Sequence, residues 1–215
     1  MGKRIADWLF ARLMAWVVAK RPEPDFVVGA SDPQGAYLNR WYITPWRRWQ
    51  TRVRARSEQQ PTRLNRAIAR AANLLPNLYL HQFLRDDDDR ALHDHPSWAV
   101  SFIPAGAYIE HTRHRYWGDQ RRVHRAGSLR WLPTRHRHRI ELFRDLSVDP
   151  DGDGTGPIAD RFPNYAAAAC RPCWTLFLFG PMVREWGFWC GERFVPWREF
   201  TAPGAPGETG KGCAE

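Results

Sequence analysis

The chain has 215 residues, 43% hydrophobic and 13% aromatic, with twelve tryptophans. This is enough apolar material for one domain with a real core, and it excludes a disordered or fibrous chain. The net charge of +9 resides in residues 1–76, which hold fourteen Lys/Arg against five Asp/Glu, while the remainder balances at eighteen of each. A basic arm of this kind can steer a protein to nucleic acid, an anionic membrane or an acidic partner.

In chain order, Trp8, Leu9, Leu13, Trp16 and Val17 recur at helical spacing and predict a helix over 3–20, ended by Pro22 and Pro24. Its apolar run is interrupted by Arg12, has no small-residue cleavage site after it and is too short to span a bilayer. We therefore expect no transmembrane segment, a cytoplasmic protein, and an amphipathic helix packed on the body, with a membrane-surface helix as the sharper alternative. From Trp41 to Arg56 aromatics alternate with arginines (Trp41, Trp46, Arg47, Arg48, Trp49, Arg52, Arg54, Arg56). Cations for phosphates and rings for stacking suit nucleic-acid contact through 41–56, although no recognition module is present; partner contact or a homodimer is the competing use. A second helix is predicted from Thr62 to Leu75, between Pro61 and Pro76.

After Pro76 the pattern changes to short alternating or apolar runs broken by turn residues. Strands are predicted at 78–84, 98–103, 107–113, 121–125, 128–132, 138–143, 174–180 and 194–200, which argues for an antiparallel barrel or sandwich. Residues 145–169 read as a long loop. Within it Asp149 to Asp160 imitates a calcium loop but lacks the final bidentate glutamate and the flanking helices. The division expected is a basic, mostly helical extension over 1–76, a β-barrel over 77–200 and a disordered tail over 201–215. The four cysteines do not suggest a disulfide framework, and the one CxxC, Cys170 to Cys173, has no second pair with which to hold zinc.

Eight histidines are present, and His93 and His95 stand two apart, which on a strand puts both on one face and within reach of one ion. His93-Asp94-His95 followed by Gly106 matches the spacing of the first motif of the cupin superfamily, and Gly127, Pro133 and His138 match the second. On these two matches the chain resembles the cupins, jelly-roll β-barrels that hold one metal ion. Departures are Asp87 and Arg135 at motif glycines, Ala99 at the motif glutamate and Leu142 at the motif asparagine. The general texture, including Leu92-His93-Asp94-His95-Pro96, is similar to uncharacterised bacterial and phage cupin-like proteins.

The resemblance implies a metal site of His93, His95 and His138, with iron(II) favoured and zinc, nickel, manganese or copper as alternatives. With alanine at position 99, the implied ligand set is three imidazoles, similar to that of thiol dioxygenases and related non-haem iron oxygenases. The competing implications are a cupin isomerase or epimerase, and a non-catalytic binding or structural cupin. Around the metal, Tyr108 and Glu110 share a strand face and are candidates for catalysis, Glu110 as a ligand or general base. His81, on a neighbouring predicted strand, is a candidate or a core histidine. His136 shares parity with His138 and is the reserve ligand or a substrate contact. Arg184 is a candidate for binding a substrate carboxylate or phosphate, or else pairs with an acid near Asp86. Trp186 and Trp189 read as packing.

Overall fold

The protein's structure, a computed structural model, describes residues 2–30, 35–87, 91–114, 116–144, 170–202 and 210–213. In chain order its elements are α1 (Gly2–Lys20), β1 (Phe26–Val28), β2 (Leu38–Tyr42), α2 (Arg47–Gln59), α3 (Arg63–Asn73), β3 (Asn77–Phe83), β4 (Leu92–His93), β5 (Ala99–Ala105), β6 (Ala107–His114), β7 (Gly118–Arg125), β8 (Leu129–Leu132), β9 (His138–Leu142), β10 (Cys173–Phe179), β11 (Gly187–Cys190), β12 (Arg193–Pro196) and α4 (Trp197–Phe200). The strands form two antiparallel six-stranded sheets, ordered β1-β2-β3-β10-β5-β8 and β12-β11-β4-β9-β6-β7. Within them, β3-β10-β5-β8 facing β4-β9-β6-β7 is the eight-stranded arrangement of two Greek keys that defines a jelly roll. The mainly β, cupin-type fold expected from the sequence is thus present, but among the described residues no strand pairing closes the two sheets into a ring.

Alternation decides what the sheets enclose. Leu38, Phe83, Ile103 and Cys173 from the first sheet meet Tyr108, Ile140 and Leu142 from the second, forming a core at one end of the space between them. The opposite face of the first sheet carries Trp41, Leu80 and Trp174, and α1 covers it with Val17, Phe10, Leu13 and Met14. The N-terminal helix therefore packs on the body, although Ile5 and Trp8 on its other side stay exposed.

Several elements differ from the sequence expectation. Residues 1–76 contribute β1 and β2 to the first sheet, with Arg40 registered on His81 and Tyr42 on Tyr79. The arginine-rich stretch is largely the helix α2, whose weak apolar periodicity hid it although arginine favours helix. Its aromatics and cations are partly internal: Trp41 is buried, Trp46 Nε1 donates to the Pro76 carbonyl, Arg48 pairs with Asp25 and Arg54 donates to Asn73. The predicted strand 194–200 ends at Pro196, and one helical turn follows. Cys190 and Cys213, expected to be unpaired, form a disulfide with Cα atoms 5.5 Å apart. Lys211 N donates to Ala202 O and Gly212 N to Phe200 O, so these tail residues lie against α4. The long loop and its calcium-like segment fall outside the described residues.

Two motif glycines, Gly106 and Gly127, have φ of 83° and 91°, a region that penalises any Cβ. A Cβ on Gly106 would lie 2.7 Å from the Pro172 carbonyl oxygen, whereas one on Gly118 (φ 65°) meets nothing within 4 Å. We expect G118A to cost about 1–2 kcal/mol of unfolding free energy and G106A at least about twice that, read by chemical denaturation. Equal losses would show that the contact with Pro172 does not constrain the turn.

Candidate metal centre

His93 lies in β4 and registers directly on His138 of β9, while His95 follows β4 by two residues and shares its face. Their ring centroids lie 4.6 Å (His93 to His138), 5.1 Å (His95 to His138) and 5.2 Å (His93 to His95) apart. His95 Nε2 is 3.0 Å from His138 Nε2, and one ring nitrogen from each of the three falls within 4.8 Å of the others. Two acceptor nitrogens so close repel each other unless a proton or a cation lies between them.

Carboxylates fix which edge of two of these rings faces inward. Glu110 Oε1 lies 2.8 Å from His138 Nδ1, and Asp87 Oδ2 lies 3.4 Å from His93 Nδ1. A neutral imidazole that presents Nδ1–H to a carboxylate offers its Nε2 lone pair to a metal, the usual outer-shell arrangement of metal-binding histidines. Asp87, which replaces a motif glycine, also accepts from Ile140 N at 2.7 Å, and Asp86 accepts from Leu142 N at 2.6 Å. The acidic run therefore completes the edge of β9 beyond its single pairing with β4.

Asp94 points the other way, as alternation requires, and is fully buried. It accepts from Arg184 Nη1 at 2.6 Å, Trp189 Nε1 at 2.9 Å and Gly187 N at 3.1 Å, which locks the His-Asp-His segment to β11. Arg184 thus pairs with Asp94 rather than with the acids near Asp86. Trp189 packs under Arg137, and Trp186 stacks on Trp197.

Glu110 is the centre of a second constellation. Arg130 from the facing sheet donates to both its oxygens, at 2.6 and 2.7 Å, and also to the Tyr108 hydroxyl at 2.9 Å. His136 Nε2 lies 2.8 Å from Oε1 and His124 Nε2 3.2 Å from Oε2. Burial pushes the Glu110 carboxyl up, but the hydrogen bonds with His136 and His138 and the Arg130 charge outweigh it and hold the group well below the usual carboxylate range. Burial drives Tyr108 up to about 12, partly offset by Arg130, so it is a neutral phenol. Glu110, His136 and His138 also group closely enough to hold an ion, but only on the Nδ1 edge of His138. The Arg130 guanidinium already neutralises Glu110 there, so a dication is favoured on the Nε2 edge, with His93 and His95.

His81 faces the same interior from the first sheet. It is buried, stacked on Tyr79 (5.6 Å) and Phe177 (5.3 Å), and its Nε2 accepts from Arg40 Nε at 2.9 Å. Burial, then the Arg40 charge, depresses it well below the usual histidine value, so it is a neutral acceptor. The cysteines contribute no ligand: Cys173 is buried and its thiol pushed up to about 12 by burial, and neither ligand group among the described residues contains Cys170. The carboxylate network and the Arg40 contact were beyond sequence reading because they join strands of unknown register.

No protein-family model matches the chain, and no curated protein matches it. Solved structures do match. A cupin-like protein of Thermotoga maritima is 8% identical over 75% of this chain and 82% of that one, with a TM-score of 0.38. A DMSP lyase of Ruegeria pomeroyi is 17% identical over 49% of this chain, with a TM-score of 0.30. Oxalate decarboxylase of Bacillus subtilis, described with Mn(II) centres, is 15% identical over 59% of this chain and 25% of that one, with a TM-score of 0.33. The chain spans 42% and 38% of the lengths of the two DMSP lyase chains it matches. No helix among the described residues is long and apolar enough to cross a membrane.

Burial, followed by the positive charge of neighbouring histidines, depresses His95 well below its ordinary value. Burial likewise takes His138 to about 4, against a partial opposing effect of Glu110. Between pH 6.5 and about 4 the unfolded chain therefore binds more protons than the folded one, and stability falls as pH falls through that window. We expect the Tm of the metal-free protein to drop from pH 7 to 4.5, with a shallower drop in H138Q. An unchanged profile in H138Q would contradict this assignment.

Proposed function

We propose that the chain is a cupin-type non-haem iron(II)-dependent oxygenase, with the ion held by His93, His95 and His138 and the substrate admitted between the two sheets. The observation that carries this reading is the convergence of three imidazoles, two of them turned inward by buried carboxylates, at the position where the cupin motifs put a metal. The His95 to His138 separation of 3.0 Å and the grouping of all three rings within 4.8 Å would let one ion be held by the three imidazoles, which suit iron among other transition metals.

Three protein ligands leave positions for small molecules, and iron(II) bound there supplies the redox chemistry of dioxygen activation. The chain's own residues orient and insulate. Glu110 and Asp87 hold the His138 and His93 rings in one tautomer, and Phe177 and Phe179 pack against His95 (5.8 and 6.3 Å) to exclude water. Tyr108, a neutral phenol held by Arg130, has the character of a positioning group rather than a base.

H93A and H138A are expected to lose stoichiometric iron, measured by elemental analysis, while H111A, whose ring faces Glu141 on the outer face, retains it. E110Q is expected to retain iron with an affinity lowered about 10–100-fold, since it loses an orienting contact rather than a ligand. Retention of full iron in both H93A and H138A would sink the reading.

A further inference from the structure

The wall facing the metal centre belongs to the first sheet; Arg130 there is neutralised by Glu110, but among the described residues Arg40 and Arg47 make no ion pair. Arg40 lies on the inner face of β2, registered on His81. Its Nε donates to His81 Nε2, and its guanidinium lies 5.1 Å from the Tyr79 ring centroid. The charges and dipoles acting most strongly on it are those of Tyr79, Tyr42, Arg47 and Tyr37, and among the described residues it makes no ion pair. A half-buried arginine without a carboxylate carries a desolvation cost that a bound anion would offset.

Arg47, at the start of α2, also lies beside Tyr79. Its guanidinium lies 5.2 Å from the Tyr42 ring centroid and 5.9 Å from that of Tyr79, donates to Thr51 Oγ1 and hydrogen-bonds the Tyr79 side chain. Its Nε is buried with no hydrogen-bond partner. Two guanidinium groups therefore lie beside one tyrosine ring, repel each other and, among the described residues, have no carboxylate partner. Beside them, the Tyr79, His81 and Phe177 rings stack nearly parallel, at 14° and 27°, and Phe177 continues to His95. Arg40, Tyr42 and Phe177 each keep partial exposure.

We propose that Arg40 and Arg47 form an anion subsite that anchors the carboxylate of a small organic acid, with the acid's other end directed past Phe177 toward the three histidines. A guanidinium fork takes a carboxylate in one plane, which suits a wall of parallel rings better than a tetrahedral phosphate does. Both arginines come from β2 and α2, outside the eight jelly-roll strands, so the subsite is an addition made by the N-terminal segment. The inference names a substrate class for the site proposed above and rests on that reading for its function, but anion binding itself does not require the metal.

The test titrates sodium propionate, and separately the neutral propionamide, into metal-free and zinc-loaded protein, following the arginine Nε–H resonances by NMR. Wild type is expected to bind propionate and not propionamide, with R40Q and R47Q each weakening propionate about tenfold or more. H93A is expected to bind propionate within about threefold of wild type while losing metal. Should R40Q fail to fold, R40K, which keeps the charge and loses the fork, together with R47Q carries the test, with the same weakening expected. Undiminished propionate binding in the arginine variants overturns the subsite, as does binding lost in H93A but kept in R40Q, which would put the anion on the metal. Inorganic phosphate binding more tightly than propionate overturns the carboxylate assignment. Metal retained in H93A would count against the three-histidine centre and leave the arginine result standing.

Discussion

The Glu110 carboxylate lies between two sheets, where an unpaired negative charge would not be tolerated, and the surrounding structure is built to satisfy it. Arg130 crosses from the facing sheet to grip both oxygens, which ties the sheets together at the point where strand pairing does not. The same carboxylate lies against Nδ1 of His138 and so determines which nitrogen of that ring is left for an ion. Stability and chemistry thus meet in one side chain. Removing Arg130 would leave a buried charge, and removing Glu110 would leave a buried guanidinium and a histidine free to turn.

Asp86, Asp87 and Asp94 repeat this logic with main-chain partners. The first two complete the exposed edge of β9, and Asp94 fastens the segment between His93 and His95 to β11. His138 therefore sits beside Glu110, which Arg130, His136 and His124 hold in place, and His93 beside Asp87, which also holds the β9 backbone. The geometry of the three histidines is set by the sheets, which is the condition for a preorganised site.

Much of this centre was legible in the sequence, because spacing on strands is a local property. His93 and His95 share a face by parity, His138 follows from motif distance, and Ala99 marks the missing carboxylate. Tyr108 and Glu110 share a face for the same reason, and only the structure shows that this face is buried. What could not be read was register. Nothing in the sequence says that Arg130 and His124 lie opposite Glu110, that Arg184 meets Asp94, or that Cys190 reaches Cys213 across 23 residues. The arm from Trp41 to Arg56 was legible as basic and aromatic but not as internal, because its burial depends on β2 joining a sheet that begins after residue 76. A second concentration of charge was hidden by averaging: residues 113–139 hold nine arginines against Asp119 alone, cancelled in the total by acids elsewhere.

The centre and the wall opposite it divide the interior into two kinds of surface. One sheet presents three imidazoles, two of them against carboxylates, and the other presents stacked rings and, with Arg40 and Arg47 beside them, two arginines that make no ion pair among the described residues. The account rests first on the ion. Anomalous diffraction at the iron edge, from crystals of the iron-loaded protein, tests it most directly. The account predicts one peak about 2.1 Å from the Nε2 atoms of His93, His95 and His138. A peak on the Glu110 and His136 side of the His138 ring, or no peak between the three histidines, would contradict it.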